Sequence, residues 1–157
     1  MLLANEAWAA AHGHEILARI VDYEVAGVDF VHGEGLLMAP TIAVPRMLAR
    51  HGLSLQDFDF YEIHEAFAAQ VLCTLKAWES ETYCRDRLGL NAPMGKIDPA
   101  KFNVHGSSLA LGHPFAATGG RIIATTAKYL KTTGKKRSLV SICAAGGQGL
   151  TAIVEAA

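Results

Sequence analysis

An α/β fold is predicted by three features of the sequence. Short β-rich runs alternate with segments of helical period. Two apolar runs near the C-terminus flank Ala144-Ala145-Gly146-Gly147-Gln148, too glycine-rich for anything but a tight backbone turn. The chain has 157 residues, 51% of them hydrophobic, enough for one domain with a real core. The alternation implies a largely parallel sheet covered by helices, and the last two runs add an antiparallel hairpin.

Taken in order, residues 2–12 read as helix from the second position and meet Gly13 as a natural stop, as if the chain began inside an element. Residues 16–29, rich in Ile, Val, Leu and Tyr, predict a strand kinked near Gly27. A helix follows over 41–51, closed by Gly52. Pro45 fits it only if the helix starts a few residues later, because an interior proline loses a hydrogen bond and clashes with the preceding turn. Residues 53–59 make a turn region and 60–63 a short strand. A helix over 65–78 then places Phe67, Val71, Leu72 and Leu75 at helical spacing. Such an abrupt strand-to-helix joint often holds a functional side chain at a sheet edge. Residues 79–101, with clustered charges, Asn91, Pro93, Gly95 and Pro99, form a surface excursion with one short helix, either a lid or a long loop. Residues 102–114 are polar and glycine-punctuated. A helix over 115–131, with Ile122, Ile123, Ala127 and Leu130 on one side, ends at Gly134, and 139–143 and 149–155 are the hairpin strands.

Composition removes several function classes. Fourteen basic against fifteen acidic residues leave a net charge of −1, with no basic field for nucleic-acid phosphates. No apolar stretch approaches the ~20 residues of a membrane span, and the N-terminus lacks the basic-then-apolar order of a secretory signal. The three cysteines, Cys73, Cys84 and Cys143, are too few for a disulfide scaffold and suit a reducing, cytoplasmic setting. There is no G-x-G-x-x-G, and Tyr129 stands where a P-loop ending at Gly134-Lys135 needs glycine. His14-Glu15 and His64-Glu65 lack the second histidine of a zinc protease, the cysteines lack C-x-x-C spacing, and no G-x-S-x-G marks a hydrolase; no metal is expected.

Three titratable side chains remain beside glycine-rich backbone or a helix start. His64 stands at the strand-to-helix joint. His113 lies between Gly112 and Pro114, with Pro114 suited to a first helical position. Cys143 ends an apolar strand ahead of a turn whose free peptide N–H groups can bind an anion. Read singly, they equally fit a capping histidine, a loop histidine and a buried hairpin cysteine.

Together, His64-Glu65-Ala66-Phe67, Gly112-His113-Pro114 and Cys143-Ala144-Ala145-Gly146-Gly147-Gln148-Gly149 resemble the ordered motifs of the C-terminal half of thiolases, the acetyl-CoA C-acyltransferases. Asn103-Val104-His105-Gly106 is similar to the family's stretch before its catalytic histidine, and the likeness runs from Ile16 onward. It implies a thiolase-like half with a mixed five-stranded sheet covered by helices.

The resemblance also implies chemistry. Thiolases cleave 3-oxoacyl-CoA, or run the reverse Claisen condensation, by acylating one cysteine and then breaking or forming a carbon–carbon bond at a second thioester. His113 would activate the nucleophile and then donate to the thioester oxygen. Cys143, its thiol pKa lowered by nearby N–H groups, would move the proton at the α-carbon. His64 with His113 would bind the enolate oxygen, and the N–H of Ala145 the other oxyanion. Phe67 would line the acyl pocket, against a plainer role in core packing. Coenzyme A thioesters would be substrates, with no resident cofactor.

The sequence also departs from the family pattern. Many members have asparagine where His64 stands, and Ala145 replaces a usual glycine, narrowing the allowed backbone. The acylated cysteine belongs to the family's N-terminal half; Cys73 and Cys84 do not match its setting. The expected partners are therefore acyl-CoA, coenzyme A and an N-terminal half, in a homo-oligomer when complete, with apolar surface exposed near Met1 and Ile16. Other readings are a non-catalytic thiolase-like module for interaction or lipid carriage, and a ketoacyl synthase.

Overall fold

The computed structural model describes residues 1–157. Strands β1 (Ala18–Gly27), β2 (Phe60–Ile63), β3 (Arg137–Ala144) and β4 (Gln148–Ala156) form one sheet in the order β1-β4-β3-β2. Helices α2 (Pro40–His51) and α3 (Ala68–Glu79) cover one face and α6 (Thr118–Thr133) the other. The sheet residues divide by alternation. Tyr61, Ile63, Leu139 and Ile153 pack with Val44, Met47, Val71 and Trp78, whereas Val140, Ala152 and Val154 pack with Ile122 and Leu130. A sheet buried on both faces needs apolar residues at successive positions, which is why β3 and β4 read as continuous hydrophobic runs.

The sheet is mixed but not largely parallel. Only β2 pairs parallel with β3; β4 is antiparallel to β3 and to β1. The terminal hairpin makes β4 antiparallel to β3, and β1 then adds antiparallel to the other edge of β4, so two of the three pairings are antiparallel. There is also one strand fewer than expected. The fifth place holds a single parallel bridge between Tyr61 and Phe102, after which Asn103 adopts a left-handed φ of 45° and the chain turns away.

Several boundaries shift for local reasons. α1 (Glu6–Ala11) starts later than its periodicity because extended Asn5 caps it, its side chain accepting from Trp8 N–H at 2.7 Å. The irregularity in β1 is a bulge between Ile20 and Asp22 rather than a kink at Gly27. The 79–101 excursion contains α4 (Glu81–Leu88), and the glycine-punctuated stretch contains the short α5 (Ser108–Leu111). α6 begins at Thr118, three residues late, because Ala116 has φ of 64° and Pro114 closes a turn with Ala117 N–H instead of opening the helix.

Pro45 lies inside α2, which starts at Pro40, five residues before it. The proline deprives the carbonyl of Thr41 of its helical donor. The indole N–H of Trp78, fully buried on α3, donates to that carbonyl at 3.3 Å. A tertiary bond thus replaces the missing helical one. Trp78→Phe should orphan the carbonyl, costing about 1–3 kcal/mol in urea unfolding on top of the cavity left by the smaller ring. Pro45→Ala should recover much of that loss in the Trp78→Phe background, and a double-mutant cycle without coupling would refute the compensation.

Candidate active site

The site is built where β2 ends. Ile63 is its last residue, and both backbone groups of Ile63 meet one side chain: Asn103 Oδ1 accepts from Ile63 N–H at 2.8 Å, and Asn103 Nδ2 donates to Ile63 O at 2.9 Å. The same amide donates to Glu65 Oε1 at 2.8 Å, while Glu65 Oε2 accepts from Leu109 N–H at 3.1 Å. Glu65 is therefore tied to the 103–109 loop rather than opening a helix, and α3 starts three residues later, at Ala68.

Between these anchors His64 N–H donates to Ser141 O of β3 at 2.9 Å. Its imidazole is 1% exposed, with Nδ1 at 2.8 Å from Ser108 Oγ. Burial, reinforced by the neighbouring His113 and Arg121 and opposed by Glu65, lowers its pKa to about 4, so the ring is neutral near pH 7.

His113 comes from the loop before α6 and lies over His64, the ring centroids 4.2 Å apart. Its Nδ1 is 2.7 Å from Thr118 Oγ1, and the Thr118 hydroxyl reaches Pro114 O at 3.4 Å. With that hydroxyl donating to the carbonyl, it accepts from His113 Nδ1–H, and Nε2 keeps a lone pair able to take a proton. Unlike His64, His113 is exposed.

Cys143 sits near the end of β3, which runs parallel to β2, so all three residues lie at the same end of the sheet. Its thiol is buried and receives N–H groups from its own backbone and from Ala66, in the loop that follows His64. The expected lowering of its pKa does not occur. Burial outweighs the two N–H groups and pushes the thiol up to about 11, leaving it protonated at neutral pH.

The three-residue turn Ala145–Gly146–Gly147 joins β3 to β4. Ala145 is exposed, and its N–H donates to no protein acceptor. Its φ is outside the left-handed region, so the methyl group is accommodated; φ of 87° and 73° fall on Gly146 and Gly147. A Cβ on Gly147 would lie 2.6 Å from Val28 O, so this position also needs glycine for close packing. Phe67 is 63% exposed in extended conformation ahead of α3, which excludes core packing within this chain. Cys73 is an exposed helix residue, and Cys84 donates from a buried position to Trp78 O; neither joins the site.

A model of the thiolase C-terminal domain matches residues 14–156. The chain belongs to the thiolase family. It is 43% identical over 155 residues to the 3-ketoacyl-CoA thiolase of Shewanella sp. (strain W3-18-1) and 44% identical to that of Shewanella amazonensis, covering 99% of this chain and 35% of each relative. The crystal structure of the Bacillus anthracis acetyl-CoA acetyltransferase aligns with a TM-score of 0.71 at 36% identity, over 97% of this chain and 34% of that one. This thiolase chain thus spans about a third of the length of the relatives it matches.

Reading the sequence assigned no role to Ser108, Thr118 or Arg121, which hold the two imidazoles, or to Asn103, which fixes the strand end. The available signal was polar residues on the sheet-facing side of α6, where Thr118 and Arg121 accompany Ile122.

Two outcomes follow from these environments. The unfolded chain takes a proton on His64 near pH 6.5 and the folded chain only near 4, so stability should fall as pH drops across that interval. Melting curves of His64→Asn should lose less stability there than the wild type; parallel curves would refute the assignment. Iodoacetamide at pH 7 should modify Cys73 first and spare Cys143, as peptide mass spectrometry would show.

Proposed function

We propose that this chain supplies the proton-transfer and oxyanion-binding part of an acyl-CoA thiolase, catalysing thiolytic cleavage of 3-oxoacyl-CoA or the reverse condensation. The observation that carries the reading is the pairing of a buried, neutral His64 with an exposed His113 at 4.2 Å, beside the loop that also contacts Cys143. The acylated cysteine would come from an N-terminal half, corresponding to the part of the relatives that this chain does not span.

In cleavage, His113 Nε2 takes the proton of the nucleophilic thiol, which attacks the 3-oxo carbon. His64 and His113 hold the oxygen of the departing enolate as neutral or protonated donors. Cys143, protonated at neutral pH, gives its proton to the α-carbon of that enolate and forms acetyl-CoA. Coenzyme A then takes the acyl group: its thiol gives its proton to the Cys143 thiolate and attacks the thioester carbon, the bond to the nucleophilic sulfur breaks, and that sulfur takes back the proton held by His113, while Ala145 N–H binds the thioester oxyanion. In condensation the same thiol must first lose its proton, so charge-stabilising groups matter more in that direction. Phe67, exposed and three residues after His64, would contact the acyl chain. No resident cofactor is required, because the thioester substrates carry the activation.

The N-terminal half would dock on an exposed apolar groove. A groove of about 620 Å³ opens between the N-terminal segment, β1 and α6, lined by Leu2, Leu3, Ile16, Leu17, Ile20 and Ile123. The complete enzyme is expected to be a homo-oligomer in the cytoplasm; no helix here is long and apolar enough to cross a membrane.

The test is reconstitution with the N-terminal portion of a Shewanella relative. The 157-residue chain alone should not turn over acetoacetyl-CoA and coenzyme A, and the pair should. In the pair, His113→Ala and Cys143→Ala should each lower kcat by about 10²–10⁴. Turnover by the isolated chain, or an active Cys143→Ala pair, would overturn the assignment.

A further inference from the structure

Arg121 takes no part in the chemistry above, yet it reaches the buried imidazole through one hydroxyl. Its Nη2 donates to Ser108 Oγ at 3.1 Å and to Ser107 Oγ at 3.5 Å. The proton of Ser107 is committed, since its hydroxyl donates to Ile63 O at 3.3 Å. Ser108 Oγ stands 2.8 Å from His64 Nδ1. A guanidinium can only donate, so it occupies one lone pair of Ser108 Oγ, and because Nδ1 is the one acceptor that hydroxyl meets, its single proton goes to Nδ1. An imidazole accepting at Nδ1 carries its own proton on Nε2.

The charged and titratable neighbours of His64 act with this geometry. The positive charge of Arg121 and the adjacent His113 both oppose protonation of His64, and only Glu65 favours it. On the same side of β2, two residues before His64, Glu62 is 1% exposed and accepts from Tyr129 O–H at 2.6 Å, and the charge of Arg121 also acts on its carboxyl. Arg121 is half-buried, and its inaccessible Nε is left without a partner, a cost the arrangement carries. Both bonds leave the single nitrogen Nη2, at the end of the long arginine side chain.

We propose that Arg121 is a positioning residue that, through Ser108, holds His64 as the neutral Nε2–H tautomer, so that the ring presents a hydrogen-bond donor to an oxyanion. The mechanistic value of that donor rests on the thiolase reading above, but the tautomer can be measured without any reaction.

The experiment is two-bond ¹H–¹⁵N correlation on the 157-residue chain with labelled histidine, titrated from pH 8 to pH 4. In the wild type His64 should show the Nε2–H pattern until its midpoint near 4. Ser108→Ala should convert it to mixed tautomers. Arg121→Met should do the same and raise the midpoint by about one unit, as loss of a nearby positive charge requires, whereas Arg121→Lys should restore the low midpoint but not the pure tautomer. Amide shifts of β3 and β4 report whether each variant is folded. If Arg121→Met does not fold, Ser108→Ala decides alone, because it removes only a hydroxyl. A wild-type Nδ1–H pattern, or an unchanged tautomer in folded Ser108→Ala, would overturn the proposal. A reconstituted pair without thiolysis but with these tautomers intact would instead count against the enzyme assignment.

Discussion

The side-chain amide of Asn103 closes the open edge of β2, and the site depends on that closure. An edge residue presents an N–H and a C=O with no neighbouring strand, and burying either one unpaired costs about 1–3 kcal/mol. Asn103 meets both groups of Ile63 at once, as a strand would, and uses its remaining N–H on Glu65. On the opposite edge β3 holds the next residue, His64, through Ser141. The backbone that carries the imidazole is thus fixed from two sides by bonds that do not involve the imidazole. The left-handed φ of Asn103 is tolerated because asparagine visits that region more readily than most side chains.

Above this strand end, one face of α6 combines packing with organisation of polar groups. Ile122 and Leu130 bury against Val140, Ala152 and Val154, which anchors the helix to the sheet. From the same helix Thr118 holds His113, Arg121 holds Ser108, and Tyr129 holds the carboxyl of Glu62. A face that was purely apolar would pack at lower desolvation cost. Glu62 shows that cost directly, since burial raises its pKa despite the phenol bonded to it. The gain is rigidity: side chains attached to a helix seated on a sheet cannot drift as loop residues do.

What the sequence made legible follows from how local each cause is. The hairpin and the C-terminal ends of α2 and α6 were readable because apolar runs and left-handed glycines, Gly52 and Gly134, act within a few residues. The starts of α3 and α6 were not, because Glu65 is captured by Asn103 and Leu109, and Ala116 breaks the backbone just ahead of a helix-like pattern. The strand order was equally hidden: Ala18 pairs with Ala156 at the far end of the chain, and no local pattern records that partnership. Pro45 misled for the same reason, since the group that compensates it is Trp78. At the site, the motifs picked out His64, His113 and Cys143, but the direction of the Cys143 shift was misjudged. Its two N–H groups could be anticipated from a glycine-rich turn, whereas the burial that overrides them is a property of the packed domain.

The two histidines show how one side-chain type is set to two different tasks. Both are bonded at Nδ1 to a hydroxyl, Ser108 in one case and Thr118 in the other, so the first partner does not distinguish them. The second partner does. Behind Ser108 stands a donor, Arg121, which turns the hydroxyl's proton toward His64; behind Thr118 stands an acceptor, Pro114 O, which turns the proton away from His113. The consequence is opposite polarity at the two Nε2 atoms, a donor on the buried ring and a lone pair on the exposed one. Burial holds His64 neutral, so the two adjacent rings, 4.2 Å apart, avoid carrying positive charge together. Replacing His64 by asparagine would preserve a neutral donor. The constraint at that position is therefore an uncharged N–H, and the imidazole satisfies it only because Ser108 and Arg121 enforce the tautomer.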